Sequence, residues 1–494
     1  MNLLLLLDMA ASGDDRTAVQ LGDSRFSAAE LLRLAWGAAS QVGDATAIAY
    51  VGTNSPAVPV ALFGAAAAGV PYSPLNYRLS TDDLDALLGR LGTPRVVASG
   101  DLAASLAQRG HRVVDTDSFL AEADRSGASG EVPFDAEAPG VVLFTSGTTS
   151  APKAALLRHR HLTSYVIGTV EFSGADPADA ALVCVPPYHV AGLANLLSNL
   201  YAGRRIVYLD QFDAASWVAT ARSASVTNAM VVPTMVARIV DVLDSDPGGI
   251  PSLRALAYGG ARMPIVVLER LMEALPDVDL TNAYGLTETS STIAVLGPDD
   301  HRAARSGDPA ALARLGSAGK VLPTVEVEIR GDDGAPVGAG EPGELWVRGE
   351  QVSGEYDGVD SPLDAEGWFP TRDRAWIDAE GYLFIEGRTD DTIIRGGENV
   401  APAEIEEVLL RHPTVDDAAV YGVADDQWGQ RIAAAVVPAA GEQPDPAELR
   451  ELVRGALRGS KTPDEIHVVD ALPYTDTGKL LRRRVPEVVE AVRR

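Results

Sequence analysis

To about residue 320, short apolar runs such as Ala47-Ile48-Ala49-Tyr50-Val51 and Met230-Val231-Val232 alternate with longer stretches of helical spacing, such as 81–90. That alternation predicts an α/β fold of parallel sheets covered by helices. From 316 to 388 the pattern changes, and Val325-Glu326-Val327-Glu328-Ile329 and Glu344-Leu345-Trp346-Val347 alternate with the period of half-exposed antiparallel strands. A smaller β subdomain is expected there, completing an N-terminal domain of 1–388. Beyond Arg388, Pro402 is followed by Glu404, Glu406 and Glu407, with Ile405, Val408 and Leu409 at helical spacing and His412-Pro413 closing the run. Proline and acids near the positive end of a helix mark its start. Residues 389–494 are therefore expected to form a small α+β domain. No internal repeat or low-complexity tract interrupts this plan.

A length of 494 residues exceeds what one hydrophobic core serves, and 46% hydrophobic residues can fill several. The 69 acidic against 41 basic residues give a net charge of -28, which repels nucleic acid and anionic lipid. Any phosphate site must be built locally. The one cysteine, Cys184, lies in the apolar run Ala181-Leu182-Val183-Cys184-Val185, which excludes a disulfide framework and predicts a buried strand position. The leucine run at 3–7 lacks a basic start, is short for an export signal and ends at Asp8. A cytoplasmic protein without a membrane span is expected.

The apolar run Val141-Val142-Leu143-Phe144 leads into Thr145-Ser146-Gly147-Thr148-Thr149-Ser150-Ala151-Pro152-Lys153. Hydroxyls around a glycine, ending in a lysine, offer N–H and O–H donors and one cation to a polyphosphate. In isolation a Ser/Thr-rich surface turn would read the same. The Walker spacing is absent, which disfavours a P-loop NTPase.

Further segments follow in order: Pro186-Pro187-Tyr188-His189-Val190-Ala191-Gly192, Tyr258-Gly259-Gly260-Ala261, Tyr284-Gly285-Leu286-Thr287-Glu288-Thr289, Gly343-Glu344-Leu345-Trp346-Val347-Arg348-Gly349, Thr371-Arg372-Asp373, Glu386-Gly387-Arg388-Thr389-Asp390-Asp391, Gly396-Gly397-Glu398-Asn399-Val400 and Thr477-Gly478-Lys479. Together they resemble, over nearly the whole chain, the adenylate-forming superfamily of acyl-CoA synthetases, peptide-synthetase adenylation domains and luciferases. The look is nearest to the acyl-CoA synthetases.

That resemblance implies ATP-dependent conversion of a carboxylic acid to an acyl-adenylate, then transfer to the thiol of CoA. It implies that Thr145, Ser146, Gly147, Thr148, Thr149 and Lys153 cradle the phosphates, that Glu288 helps hold Mg2+, and that Thr287 meets the α-phosphate. Mg2+ favours a carboxylate combined with phosphate oxygens. Gly260, Ala261, Asn282 and Tyr284 are implied around the adenine, and Asp373 and Arg388 at the ribose hydroxyls. Lys479 is implied as the catalytic lysine, an ammonium that offsets the repulsion between two anions. Asp390 is implied as the hinge of a mobile C-terminal domain, and Gly396, Gly397 and Arg395 border the acceptor path. Arg395 could equally contact acceptor phosphate or sit on the surface.

The implied acid pocket is bounded by the His189 segment and by residues that are small or apolar, Val190, Gly192, Gly259, Gly285 and Thr289. Without an acidic partner for an ammonium it disfavours amino acids and favours a lipophilic acid, aromatic or medium-chain. Two departures stand out. Ser150 and Ala154 occupy glycine places in the phosphate loop, and Arg372 replaces the glycine of the ribose motif, which puts the local turn in question. Rival readings are a stand-alone adenylating enzyme serving a carrier protein or an amine, and a nucleotide-binding regulator without turnover. The acid, the acceptor and the oligomeric state are not legible.

Overall fold

The computed structural model describes every residue except 14, 146–151, 247, 396–397, 426–427, 458, 476–477 and 494. Ser146, Gly147, Thr148, Thr149, Gly396, Gly397 and Thr477 thus lie outside the described residues. Among the described residues the strands form sheets of 13, six and five members. The six-stranded sheet carries Ile48–Val51 at its centre and ends in Pro139–Thr145 and Lys153–Arg158, an antiparallel pair that flanks the Ser/Thr-rich segment 146–152 in sequence. In the largest sheet Ala180–Val183, Asn228–Val231, Ala255–Gly259 and Asp279–Leu286 run parallel. Helices cover both, as the alternation predicts.

Local sequence accounts for the helices that join these layers. Ser27 caps Ala28–Ala39, its hydroxyl accepting from the Glu30 N–H at 3.3 Å while its own N–H donates to the Glu30 carboxylate at 2.7 Å. The leucine run enters the helix Leu4–Ala11, and its Leu3, Leu4, Leu6 and Leu7 are buried in the core beside Ala28–Ala39 and Val190–Ala202. Cys184 is buried one residue past the end of its strand.

The β-rich region differs from expectation in one respect. Its strands have their own core around Leu345, Val347, Phe369 and Leu383. They nevertheless continue the large sheet, because Gly319–Val321 pairs with Ser291–Leu296 on one side and with Tyr382–Arg388 on the other. A short two-faced strand thus welds the expected subdomain to the parallel sheet. The C-terminal domain has a separate sheet, with the long hairpin Val415–Asp425 and Gly429–Pro438 and the helix Pro402–Leu409 that the proline and acids predict.

Arg372 resolves the question raised by its missing glycine. It keeps the left-handed backbone, at φ 63°, inside a bulge of Phe369–Ile377. A non-glycine residue in that region costs roughly 1–2 kcal/mol. Its exposed side chain reaches Glu344 only at 3.8 Å. Arg372→Gly should therefore raise stability by about 0.5–1 kcal/mol after the extra unfolded-state entropy of glycine is deducted. Urea unfolding checks this, and a less stable variant would show that the side chain outweighs the strain.

Candidate active site

Strand pairing places Asp373 directly opposite Arg388. Arg388 Nη1 donates to Asp373 Oδ1 at 3.2 Å and to the Thr371 carbonyl at 2.8 Å, and the Thr371 hydroxyl accepts from the Asp373 N–H at 3.1 Å. The Tyr284 phenol, arriving from Asp279–Leu286, donates to Asp373 Oδ2 at 2.5 Å. Burial pushes the Asp373 carboxyl up while the Arg388 guanidinium pulls it down. Burial, reinforced by that carboxylate, pushes the Tyr284 phenol well up, so it stays a donor. Asn282 donates its amide N–H to the Ser317 carbonyl at 3.0 Å, which leaves the amide oxygen as its acceptor end.

Glu288 sits in the short turn Thr287–Thr289, where its Oε1 accepts from the Tyr356 phenol at 2.6 Å. Lys153 heads its strand, with Nζ 5.2 Å from the centre of the same Tyr356 ring. Thr145 closes the preceding strand and directs its hydroxyl at the Lys153 carbonyl, 3.4 Å away. The backbone after Glu288 is strained, with Ser290 at φ 57° and Ser291 at φ 129°. Buried Gln351 holds this turn by donating to the Thr289 and Thr292 carbonyls at 3.0 and 2.9 Å. Thr289, expected on the pocket wall, is instead wholly buried, its hydroxyl accepting from the Leu286 N–H and donating to the Ser291 carbonyl. Gly285 is dictated by packing, since a Cβ there would lie 1.8 Å from the Ser291 carbonyl. Among the described residues no three His, Cys, Asp or Glu side chains gather into a metal cage. One carboxylate with substrate phosphates suits Mg2+ and not a metal held by protein alone.

His189 caps the helix Val190–Ala202, its Nδ1 accepting from the Ala191 N–H at 3.2 Å. In the neutral ring Nε2 then carries the proton. Val190 and Gly192 are buried in that helix, Gly259 ends its strand, and Gly260 and Ala261 follow it into the loop that carries Arg262. The C-terminal domain closes on this face. Gly478, at φ 76°, approaches Thr234 so closely that a Cβ would lie 2.5 Å from the Thr234 hydroxyl. Exposed Lys479 is near enough to act electrostatically on both His189 and Asp373. Across the same junction Arg262 pairs with Glu407 at 2.5 Å. Asp390 is exposed in the turn Thr389–Asp391, whose Asp391 lies 3.7 Å from Arg482. Arg395 folds onto Asp464 at 2.9 Å and onto the Ser460 and Thr462 carbonyls, so its donors are engaged within its own domain.

Comparison with known families matches residues 8–357 to the AMP-binding enzymes and residues 404–479 to the AMP-binding enzyme C-terminal domain. The chain belongs to the AMP-binding enzyme family. It is 33% identical to a feruloyl-CoA synthase of Amycolatopsis sp over 483 residues, covering 95% of each chain. It is 30% identical to a fatty acid–[acyl-carrier-protein] ligase of Streptomyces coeruleorubidus, covering 89% of this chain and 86% of that one. Its structure is similar to that of the o-succinylbenzoate CoA synthetase of Bacillus subtilis in complex with its acyl-adenylate intermediate, with a TM-score of 0.84, 27% identity and 98% of each chain covered.

In this AMP-binding enzyme the chain brings Thr145, Lys153, Glu288, Tyr284, Asp373, Arg388, His189 and Lys479 to one face. Gln351, Tyr356 and Thr234 are the contacts that the sequence does not announce. Tyr356 follows the Gly343–Gly349 motif closely, but an aromatic among polar residues carries no chemical mark until its partners are placed.

Enclosure by protein, and secondarily the Lys479 ammonium, pushes the His189 ring down to about 4. His189 should therefore stay neutral and show no titration from about pH 5 to 8 in NMR of histidine-labelled enzyme. Lys479→Ala removes a positive neighbour and should move the midpoint up. A midpoint that the substitution leaves unmoved would contradict the docking of Lys479 beside His189.

Proposed function

We propose that this AMP-binding enzyme is an AMP-forming acid–thiol ligase. It joins a lipophilic carboxylic acid to ATP as an acyl-adenylate with release of pyrophosphate, then passes the acyl group to the thiol of CoA. The observation that carries the reading is the seating of Gly478 on Thr234, which delivers Lys479 to the face shared by His189 and Asp373.

The residues divide the work by charge. Asp373 offers a carboxylate to the ribose diol, with Arg388 fixing its orientation and donating alongside it. Tyr284 and the oxygen end of Asn282 serve the adenine, beside Gly260 and Ala261. Thr145 and Lys153 flank the polyphosphate, with Ser146, Gly147, Thr148 and Thr149 between them, and Thr287 meets the α-phosphate. Glu288 is the protein ligand to Mg2+. Mg2+ held there with the substrate phosphates would supply positive charge to offset that of the leaving pyrophosphate. His189, neutral and donating from Nε2, orients the acid carboxylate, while the apolar body lies along Val190 and the backbones of Gly192, Gly259 and Gly285, whose Cβ positions are filled by protein. Lys479 lies between the acid and the α-phosphate, where its charge offsets the repulsion of the two anions.

The same C-terminal domain then turns about Asp390, with the boundary after Arg388. This withdraws Lys479 and brings Gly396 and Gly397 to the acceptor path. The exposure of Asp390, next to an Asp391 tied to Arg482, supports a pivot there. An aromatic acid is supported by the likeness to feruloyl-CoA synthase, and a carrier-protein thiol is the alternative acceptor supported by the likeness to the carrier-protein ligase. A cytoplasmic location fits a lone, buried thiol and the absence, among the described residues, of a helix long and apolar enough to cross a membrane.

Pyrophosphate release should appear with aromatic or medium-chain acids and thioester only when CoA is added; failure with every acid would remove the reading. Lys479→Ala should slow adenylate formation by about 100- to 1000-fold while transfer from a supplied acyl-adenylate survives. Equal loss in both halves would contradict its role. Asp390→Pro fixes φ and should leave pyrophosphate exchange near normal but strongly reduce thioester formation. A wild-type rate of thioester formation would move the hinge elsewhere.

A further inference from the structure

The segment 353–357 lies outside the named strands, yet it laces two halves of the site together. Its Glu355 carbonyl accepts from the Leu156 N–H at 2.9 Å, and its Asp357 N–H donates to the Ala154 carbonyl at 2.9 Å, so it runs as an added strand beside Lys153–Arg158. Arg158 grips the Glu355 carboxylate through two nitrogens, at 2.8 and 2.6 Å. On its other side the Ser353 N–H donates to the Glu288 carbonyl at 2.8 Å. The strand headed by Lys153 and the turn that carries Glu288 thus share one tether.

Tyr356 is the side chain of that tether which meets both charged groups. Its phenol donates to Glu288 Oε1 at 2.6 Å, and the face of its ring receives the Lys153 ammonium at 5.2 Å. With Oε1 engaged, the carboxylate has one preferred rotation and presents Oε2 as the oxygen for a cation. A hydrogen bond to a ligating carboxylate fixes its direction, and losing such an outer partner typically costs about 10- to 100-fold in metal affinity. The ring face gives Lys153 a seat within reach of the phosphate loop, a contact of modest strength at a part-exposed site.

We propose that Tyr356 is a positioning residue for Mg·ATP: its hydroxyl aims Glu288 at the metal, and its ring aims Lys153 at the phosphates. This rests on the reading of Glu288 as the Mg2+ ligand. The two contacts come from different parts of one side chain, so they separate by substitution. Tyr356→Phe removes the hydroxyl and keeps the ring, and Tyr356→Leu removes both.

The test is ATP binding by calorimetry without any acid, so that no turnover enters, in EDTA and again in excess Mg2+. The ratio of the two dissociation constants within one variant reports the Mg2+ contribution and cancels any change in the folded fraction. In Tyr356→Phe the ratio should fall by about 10-fold or more while the metal-free dissociation constant stays at the wild-type value. In Tyr356→Leu the metal-free constant should also rise, by about 2- to 5-fold. A wild-type ratio in Tyr356→Phe, with a collapsed ratio in Glu288→Gln, overturns the proposal and spares the reading of Glu288. A wild-type ratio in Glu288→Gln overturns both.

Discussion

The close approach of the Gly478 backbone to Thr234 is the contact on which the assembled site depends. Thr234 stands at the start of the helix Pro233–Ser245, on the N-terminal domain, and Gly478 precedes Lys479 on the C-terminal one. Only a residue without a Cβ, and with ready access to φ 76°, fits between them. The lysine turn is itself braced by a hydrogen bond from the Thr475 N–H to the Lys479 carbonyl at 2.8 Å. Behind it, half-buried Arg482 donates to Glu406 and the Val420 carbonyl and faces Asp391 of the proposed pivot. Lys479 is thus carried on a turn whose base, through Arg482, reaches the proposed pivot.

This arrangement answers the difficulty set by a net charge of -28. A chain so acidic cannot attract a polyphosphate by its overall field, so cations must converge from distant parts of the sequence. Lys153 comes from the hairpin of Pro139–Thr145 and Lys153–Arg158, Arg388 from Tyr382–Arg388 of the large sheet, and Lys479 from the C-terminal domain. The first two are held by neighbours of opposite or polarisable character, Asp373 and the ring of Tyr356. Lys479 is brought in by the seating of Gly478 on Thr234, which suits its proposed use in only one half of the reaction.

Much of the fold is legible because period and punctuation act locally. The helix at Pro402 and the buried strand at 141–144 need only their own residues to declare them. The union of the β-rich strands with the parallel sheet is not legible, since it rests on two pairings, Ala294 with Val321 and Val295 with Lys320, between segments whose spacing carries no signal. In the site, residues with intrinsic chemistry stand out: carboxylates, lysines, and a histidine at a helix start. Gln351, Tyr356 and Thr234 act through contacts that arise when distant segments meet. Thr289, expected on the pocket wall, is buried with its hydroxyl satisfying its own turn, a contact that the sequence does not show. Arg372 shows that a glycine-type backbone can persist without glycine when the strand pairing on both sides determines it.

The central claim is that the domain orientation joining Gly478 to Thr234 serves adenylate formation and must be left for thioester formation. Arg262 and Glu407 meet across that junction, and Cys184 is buried, so Arg262→Cys with Glu407→Cys supplies the accessible pair of thiols. A short bis-maleimide bridge between them should fix the orientation. The bridged enzyme should keep acid-dependent pyrophosphate exchange and lose CoA thioester formation, while the unbridged double variant does both. A bridged enzyme that forms thioester at the unbridged rate would contradict the account.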